Sequence, residues 1–151
     1  MGFLRAEEVT LPIRFFCLTL HFIAVLVVVF GLDSIASNLT QVNPNDPGVS
    51  KAAVDDFNGT KNIISGFSYG AIACFSIEYI TLFLGVTIFM RHACLLNIML
   101  HFFGLLLVVI WVIDIWSEAS YIAFITVFSF LPAFGELLVL ALMSRFTFAK
   151  Y

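Results

Sequence analysis

Four ionisable residues lie inside long apolar runs: His21, Glu78, His101 and Glu136. In hydrocarbon such side chains are costly, so they face a bundle interior or a wet cavity and take a partner. Acids and imidazoles in that setting have two kinds of chemistry open to them. They hydrogen-bond across helices and hold a bundle together, or they hand protons along a chain of groups, as in pumps. His21 and Glu78 fall near the middle of their runs. His101 and Glu136 fall a turn or so nearer the end expected to face the cytoplasm. Similar depth suggests two contacts, His21 with Glu78 and His101 with Glu136. A small transporter or proton-conducting protein using Glu78, His101 and Glu136 stays open as the alternative.

The surrounding spacing favours packing. Each ionisable residue belongs to a helical stripe of small or polar side chains. Cys17, His21, Ala24 and Gly31 form one, and Gly70, Cys74, Glu78, Thr81 and Gly85 form a second, preceded by a Gly66-x-x-x-Gly70 step. Asn97, His101 and Gly104 form a third, and Thr126, Ser129, Ala133 and Glu136 a fourth. Small residues let helix backbones approach in lipid, and polar ones bond between them. Pro132 stands inside the last run and is expected to kink it just before Glu136. No internal repeat of the kind common in transporters is visible.

Nothing in the pattern points to catalysis. No G-x-S-x-G and no H-E-x-x-H occurs. Cys17, Cys74 and Cys94 lie in or beside apolar segments, with no C-x-x-C and no Cys/His metal spacing. The reading is therefore no enzyme, no cofactor, no metal, no nucleic acid and no small-molecule substrate.

The elements that must position these residues are transmembrane helices. Of 151 residues, 62% are hydrophobic and only 11% charged, where a soluble domain carries roughly 25% charged. Apolar runs at about 13–32, 63–90, 94–116 and 121–143 each reach the ~20 residues that cross a bilayer. The helix is the structure that satisfies its own backbone there. The fold class is thus an all-α membrane protein, a four-transmembrane-helix bundle in a single domain. The first run reads as an uncleaved signal anchor, being longer than a signal-peptide core. Short connections after the second and third runs predict antiparallel neighbours. A loop of about 33–62 joins the first two runs, with consecutive turns at Asn43-Pro44-Asn45-Asp46-Pro47-Gly48.

Orientation follows from Lys and Arg. Arg5, Arg14, Arg91, Arg145 and Lys150 fall on one side, and Lys51 and Lys61 on the other. Both termini are therefore expected in the cytoplasm and the 33–62 loop on the lumenal or extracellular side. That loop carries two N-glycosylation acceptor patterns, Asn38-Leu39-Thr40 and Asn58-Gly59-Thr60. Asp114 and Glu118, with Trp111 and Trp116, read as an interfacial belt at the lumenal end.

Tetraspanins would need a large cysteine-rich loop between the last two helices, and claudins a first loop marked by Trp and Cys. Neither is present. The sequence resembles the transmembrane protein 107 family. The resemblance rests on Leu11-Pro12-Ile13-Arg14-Phe15 and His21, on Phe67-Ser68-Tyr69, Glu78 and Gly85-Val86-Thr87-Ile88-Phe89, on His101 and Trp116-Ser117, and on Ser129, Leu131-Pro132-Ala133 and Glu136. The first loop is poorly matched. The resemblance implies a multi-pass protein of the ciliary transition zone, at the base of the cilium. There it would belong to the Meckel-syndrome module, helping recruit or retain other transition-zone membrane and scaffold proteins. Ciliogenesis and control of ciliary membrane composition would depend on it.

Overall fold

The computed structural model describes the backbone of residues 6–85 and 91–148. Six α-helices account for nearly all of it: α1 (Ala6–Phe30), α2 (Leu32–Thr40), α3 (Lys51–Phe83), α4 (Arg91–Asp114), α5 (Glu118–Ile125) and α6 (Leu131–Phe148). A π-helical segment, Thr126–Phe130, joins α5 to α6. No strand occurs among the described residues. Four segments are long and apolar enough to cross a membrane: Val9–Phe30, Lys51–Phe83, His92–Asp114 and Glu118–Leu142. The sequence-based second run extends to Met90, and its residues 86–90 lie outside the described part.

Burial follows helical periodicity. On α1 the inward positions are Arg14, Leu18, His21, Val25 and Val28, and on α4 they are Cys94, Asn97, His101, Val108 and Trp111. Spacings of three and four place each set on one helix face. The opposite faces expose Phe16, Ile23, Val27, Leu96, Phe102 and Ile113, the apolar surface that lipid solvates.

The helices form a square. α1 packs on α3 and α4, and the fourth span packs on α3 and α4. The pairs α3–α4 and α1–α6 are not among the closely packed ones, so they occupy the diagonals. The expectation that the short connection after α3 makes α3 and α4 neighbours is therefore corrected. Connection length fixes only the antiparallel direction, and side-chain packing decides who sits beside whom.

The expected long loop is also corrected. α3 begins at Lys51 and has 33 residues, so it is ~50 Å long at 1.5 Å per residue. The hydrocarbon core is only ~30 Å thick. The first turns of α3 therefore project beyond it. α2 folds back onto them: Leu32, Ile35 and Ala36 are buried, as is Phe57 of α3, and Lys61 Nζ donates to Asp33 Oδ1 at 2.5 Å. Gly31 is the single residue between α1 and α2. Gln41 ends α2 in the left-handed region, φ 56°. Within the 33–62 stretch only residues 41–50 are non-helical, and there Asp46 N–H donates to the Asn43 carbonyl at 3.1 Å and Val49 N–H to that of Asp46 at 3.2 Å. Ser50 then caps α3 by accepting from Ala53 N–H.

Pro132 produces a wide turn. A proline has no N–H, and its ring presses on the carbonyl four residues back, here Phe128. The helix answers with a π-helical turn in which Leu131 N–H donates to Thr126 O. Tyr121, Ile125, Ser129, Ala133 and Glu136 all face inward as a result.

A buried polar core joining opposite helices

The inward stripes meet in two polar groups stacked along the bundle. In the first, Arg14 of α1 forms an ion pair with Glu136 Oε1 of α6. Asn97 of α4 donates its Nδ2 to the same oxygen at 2.5 Å. Arg14 and Glu136 are 1% and 2% exposed. An ionised carboxylate accepts several bonds, and the planar guanidinium is always charged, so the two form a closed charge pair.

In the second group, His101 Nε2 lies 2.6 Å from Glu78 Oε2. The other ring nitrogen of His101, Nδ1, lies 3.2 Å from Nδ1 of His21. All three side chains are fully buried. Phe75 packs edge-on to His21 at a 5.0 Å centroid distance and against His101 at 5.9 Å. Gly104 supports the assembly by having no side chain: a Cβ there would stand 2.5 Å from His21 Cε1 and 2.7 Å from Phe128 Cβ.

Neither expected pair forms. Glu78 bonds His101, not His21, and Glu136 bonds Arg14 and Asn97, not His101. Both links to the buried acids cross diagonals of the square, Glu78 to His101 from α3 to α4 and Arg14 to Glu136 from α1 to α6. Matching residues by depth and adjacency fails because a long Arg, Glu or His side chain reaches through the centre to the opposite helix.

The sequence places Arg14 among the flanking charges, and its burial in the bundle corrects that placement. Asn97, a polar member of the third stripe, donates to the acid, a partner the sequence does not indicate. The signal for Arg14 was its register, four residues before Leu18 and seven before His21 on the buried face. Pro132 is buried beside the wide turn. Gly70 lies under Phe130, whose Cζ would be 3.0 Å from an added Cβ. Gly66 is exposed with nothing within 4 Å of such an atom, so it takes no part in packing between the described helices. Asn38 and Asn58 are exposed on α2 and α3.

A third link lies nearer the α5 end. Ser68 Oγ donates to Ile64 O at 2.7 Å, and the Tyr121 hydroxyl donates to Ser68 Oγ at 2.7 Å. Trp111 is fully buried, packs on Tyr121 at 4.5 Å and donates its indole N–H to Ser117 O at 3.1 Å. It belongs to the core, which corrects the expectation of an interfacial role, whereas Trp116 is exposed. Among the described residues no His, Cys, Asp and Glu cluster is arranged to hold a metal.

No curated protein and no solved structure matches the chain. The model of the transmembrane protein 107 (TMEM107) family, described as a transmembrane protein, matches residues 10–140. That stretch holds all four spans but for their outermost residues, and every member of the polar core. The chain is an integral, multi-pass membrane protein, and it belongs to the transmembrane protein 107 family.

Proposed function

We propose that the chain is an assembly protein of the ciliary transition zone. It recruits or retains other membrane and scaffold proteins there, and so supports ciliogenesis and the composition of the ciliary membrane. The family match over residues 10–140 carries this reading. The fold is suited to it. Short connections and long apolar helix faces offer neighbouring membrane proteins a rigid surface, held from within by the diagonal polar links. Both termini face the cytoplasm in this reading, because Arg5, Arg91, Arg145 and Lys150 still outnumber Lys51 and Lys61 once Arg14 is set aside. The α2–α3 cap is then lumenal or extracellular, with Asn38 and Asn58 open to glycosylation.

The test is the position of a C-terminally tagged copy in ciliated cells, imaged against a transition-zone marker. A tight signal at the ciliary base is expected. A diffuse signal in the endoplasmic reticulum or plasma membrane, from a tagged protein shown to be folded, would overturn the reading.

The buried string of acids and imidazoles supports a second reading, proton conduction. It predicts proton flux into proteoliposomes that is lost on Glu78→Gln. The assembly reading predicts no flux above protein-free vesicles.

A further inference from the structure

We infer that Glu78, His101 and His21 together bind one proton beyond the number they carry in water at neutral pH, and that this proton fixes the order of donors along the chain. Two distances set the problem. The 2.6 Å contact between His101 Nε2 and Glu78 Oε2 and the 3.2 Å contact between the Nδ1 atoms of His101 and His21 each bring two lone-pair-bearing atoms together. Each contact needs a proton between its atoms.

Charge decides the direction of the second one. Among the described residues the core's guanidinium, imidazoles and carboxylates are Arg14 and His21 from α1, Glu78 from α3, His101 from α4 and Glu136 from α6, with Asn97 a neutral donor, and the thiols of Cys74 and Cys94 and the Tyr121 hydroxyl add no charge when protonated. Arg14 and Glu136 cancel. Glu136 is paired directly with the always-charged Arg14 guanidinium, which favours its carboxylate form, and accepts from Asn97 as well, so the further proton belongs to the other acid's group. If Glu78 were ionised and both imidazoles neutral, the core would hold one uncompensated negative charge in a water-excluded bundle, an expensive arrangement. One further proton removes it.

That proton lies on the Glu78–His101 bond. Whether it resides on Oε2 or on Nε2, the remaining nitrogen of His101, Nδ1, carries hydrogen and donates to His21 Nδ1. His21 is then the Nε2–H tautomer, with a bare Nδ1. A core lacking the extra proton reverses this: His101 donates Nε2–H to an ionised Glu78, its Nδ1 is bare, and His21 must donate from Nδ1–H. The tautomer of His21 therefore reports the proton count of a carboxylate two hydrogen bonds away. The proton also ties three helices, α1, α3 and α4, into one bonded unit.

The experiment is 15N magnetic resonance of histidine-labelled protein in lipid bilayers at pH 8. The chain has three histidines, and a His92→Gln variant leaves only the two buried rings. The coupling between the two Nδ1 nuclei identifies the pair without changing either residue. The expected result is a His21 with unprotonated Nδ1 and protonated Nε2, accepting from His101. A protonated Nδ1 on His21 would overturn the proposal, whether the ring is neutral or doubly protonated. Wild-type protein gives the same readout if the His92 variant does not fold, its exposed ring showing no coupling to another imidazole.

Discussion

Arg14 and Glu136 are 122 residues apart in sequence and form a buried ion pair across the diagonal between α1 and α6. The first and last spans are joined through the centre of the bundle, where their backbones are not closely packed. Because the pair is desolvated, its members are strongly dependent on each other. Removing one strands the other charge, at ~3–5 kcal/mol. Glu136→Ala and Arg14→Ala should each destabilise by about that much. A double replacement by apolar residues of similar volume, Arg14→Met with Glu136→Leu, should cost less than either single change. Reversible unfolding in mixed detergent micelles measures all three. A double variant as unstable as the sum of the singles would show that the charges do not depend on one another.

The contact between Gly104 and His21 gives a second expectation. An alanine at 104 would drive its Cβ into the His21 ring and Phe128 Cβ. Neither neighbour is a free side-chain end, since His21 is fully buried and Phe128 Cβ is fixed by the backbone. Gly104→Ala should therefore cost ~1–3 kcal/mol through overpacking. Gly66→Ala meets nothing within 4 Å and should leave stability unchanged or slightly raised, as Ala is the better helix former by ~1 kcal/mol. Equal effects of the two substitutions on the thermal midpoint would contradict the placement of these glycines.

The Ser68–Tyr121 link predicts a smaller effect. Tyr121→Phe removes the hydroxyl but keeps the ring packed against Trp111. Ser68 retains its bond to the Ile64 carbonyl, so no polar atom of its own is stranded. The loss should be that of one hydrogen bond, ~0.5–1.5 kcal/mol. Tyr121→Ala should cost several times more, since it also empties a fully buried site. Comparable losses in the two variants would mean that the hydroxyl, and not ring packing, dominates.

These residues show how far the sequence alone could be read. The four spans and the four intramembrane ionisable residues were legible because apolar length and charge in hydrocarbon are strong signals. The partners were not, because the order of helices around a bundle depends on packing that no local pattern encodes. Arg14 shares its stripe with Leu18 and His21, yet its place near a helix end made it look like a flanking charge. α2 was hidden for another reason. Leu32, Ile35, Ala36 and Leu39 have amphipathic spacing, but Asp33, Ser34, Ser37 and Asn38 between them gave the stretch the composition of a loop. Pro132 leads the sequence to suggest a kink, and what stands before it in the structure is a π-helical turn, with Ser129 and Ala133 facing inward, a form that depends on the neighbouring helices.

The α2–α3 cap supplies the last expectation. It is held by apolar burial where α2 packs on α3, with Leu32, Ile35 and Ala36 of α2 and Phe57 of α3 all buried, and by the Asp33–Lys61 pair. Asp33 is 78% exposed, and exposed ion pairs are worth at most ~1 kcal/mol. Phe57 is 4% exposed, and truncating a buried Phe typically costs ~3–5 kcal/mol. Apolar burial therefore holds the cap, and Phe57→Ala should undock α2 while Asp33→Asn does not. The polar core lies a long way down α3, at Glu78, so undocking should stay local. Hydrogen exchange in bilayers separates the cases: Phe57→Ala should speed exchange of α2 amides and leave those around His101 protected. Faster exchange at both places would make the cap and the bundle one cooperative unit, and no change at either would mean that the ion pair suffices to hold α2.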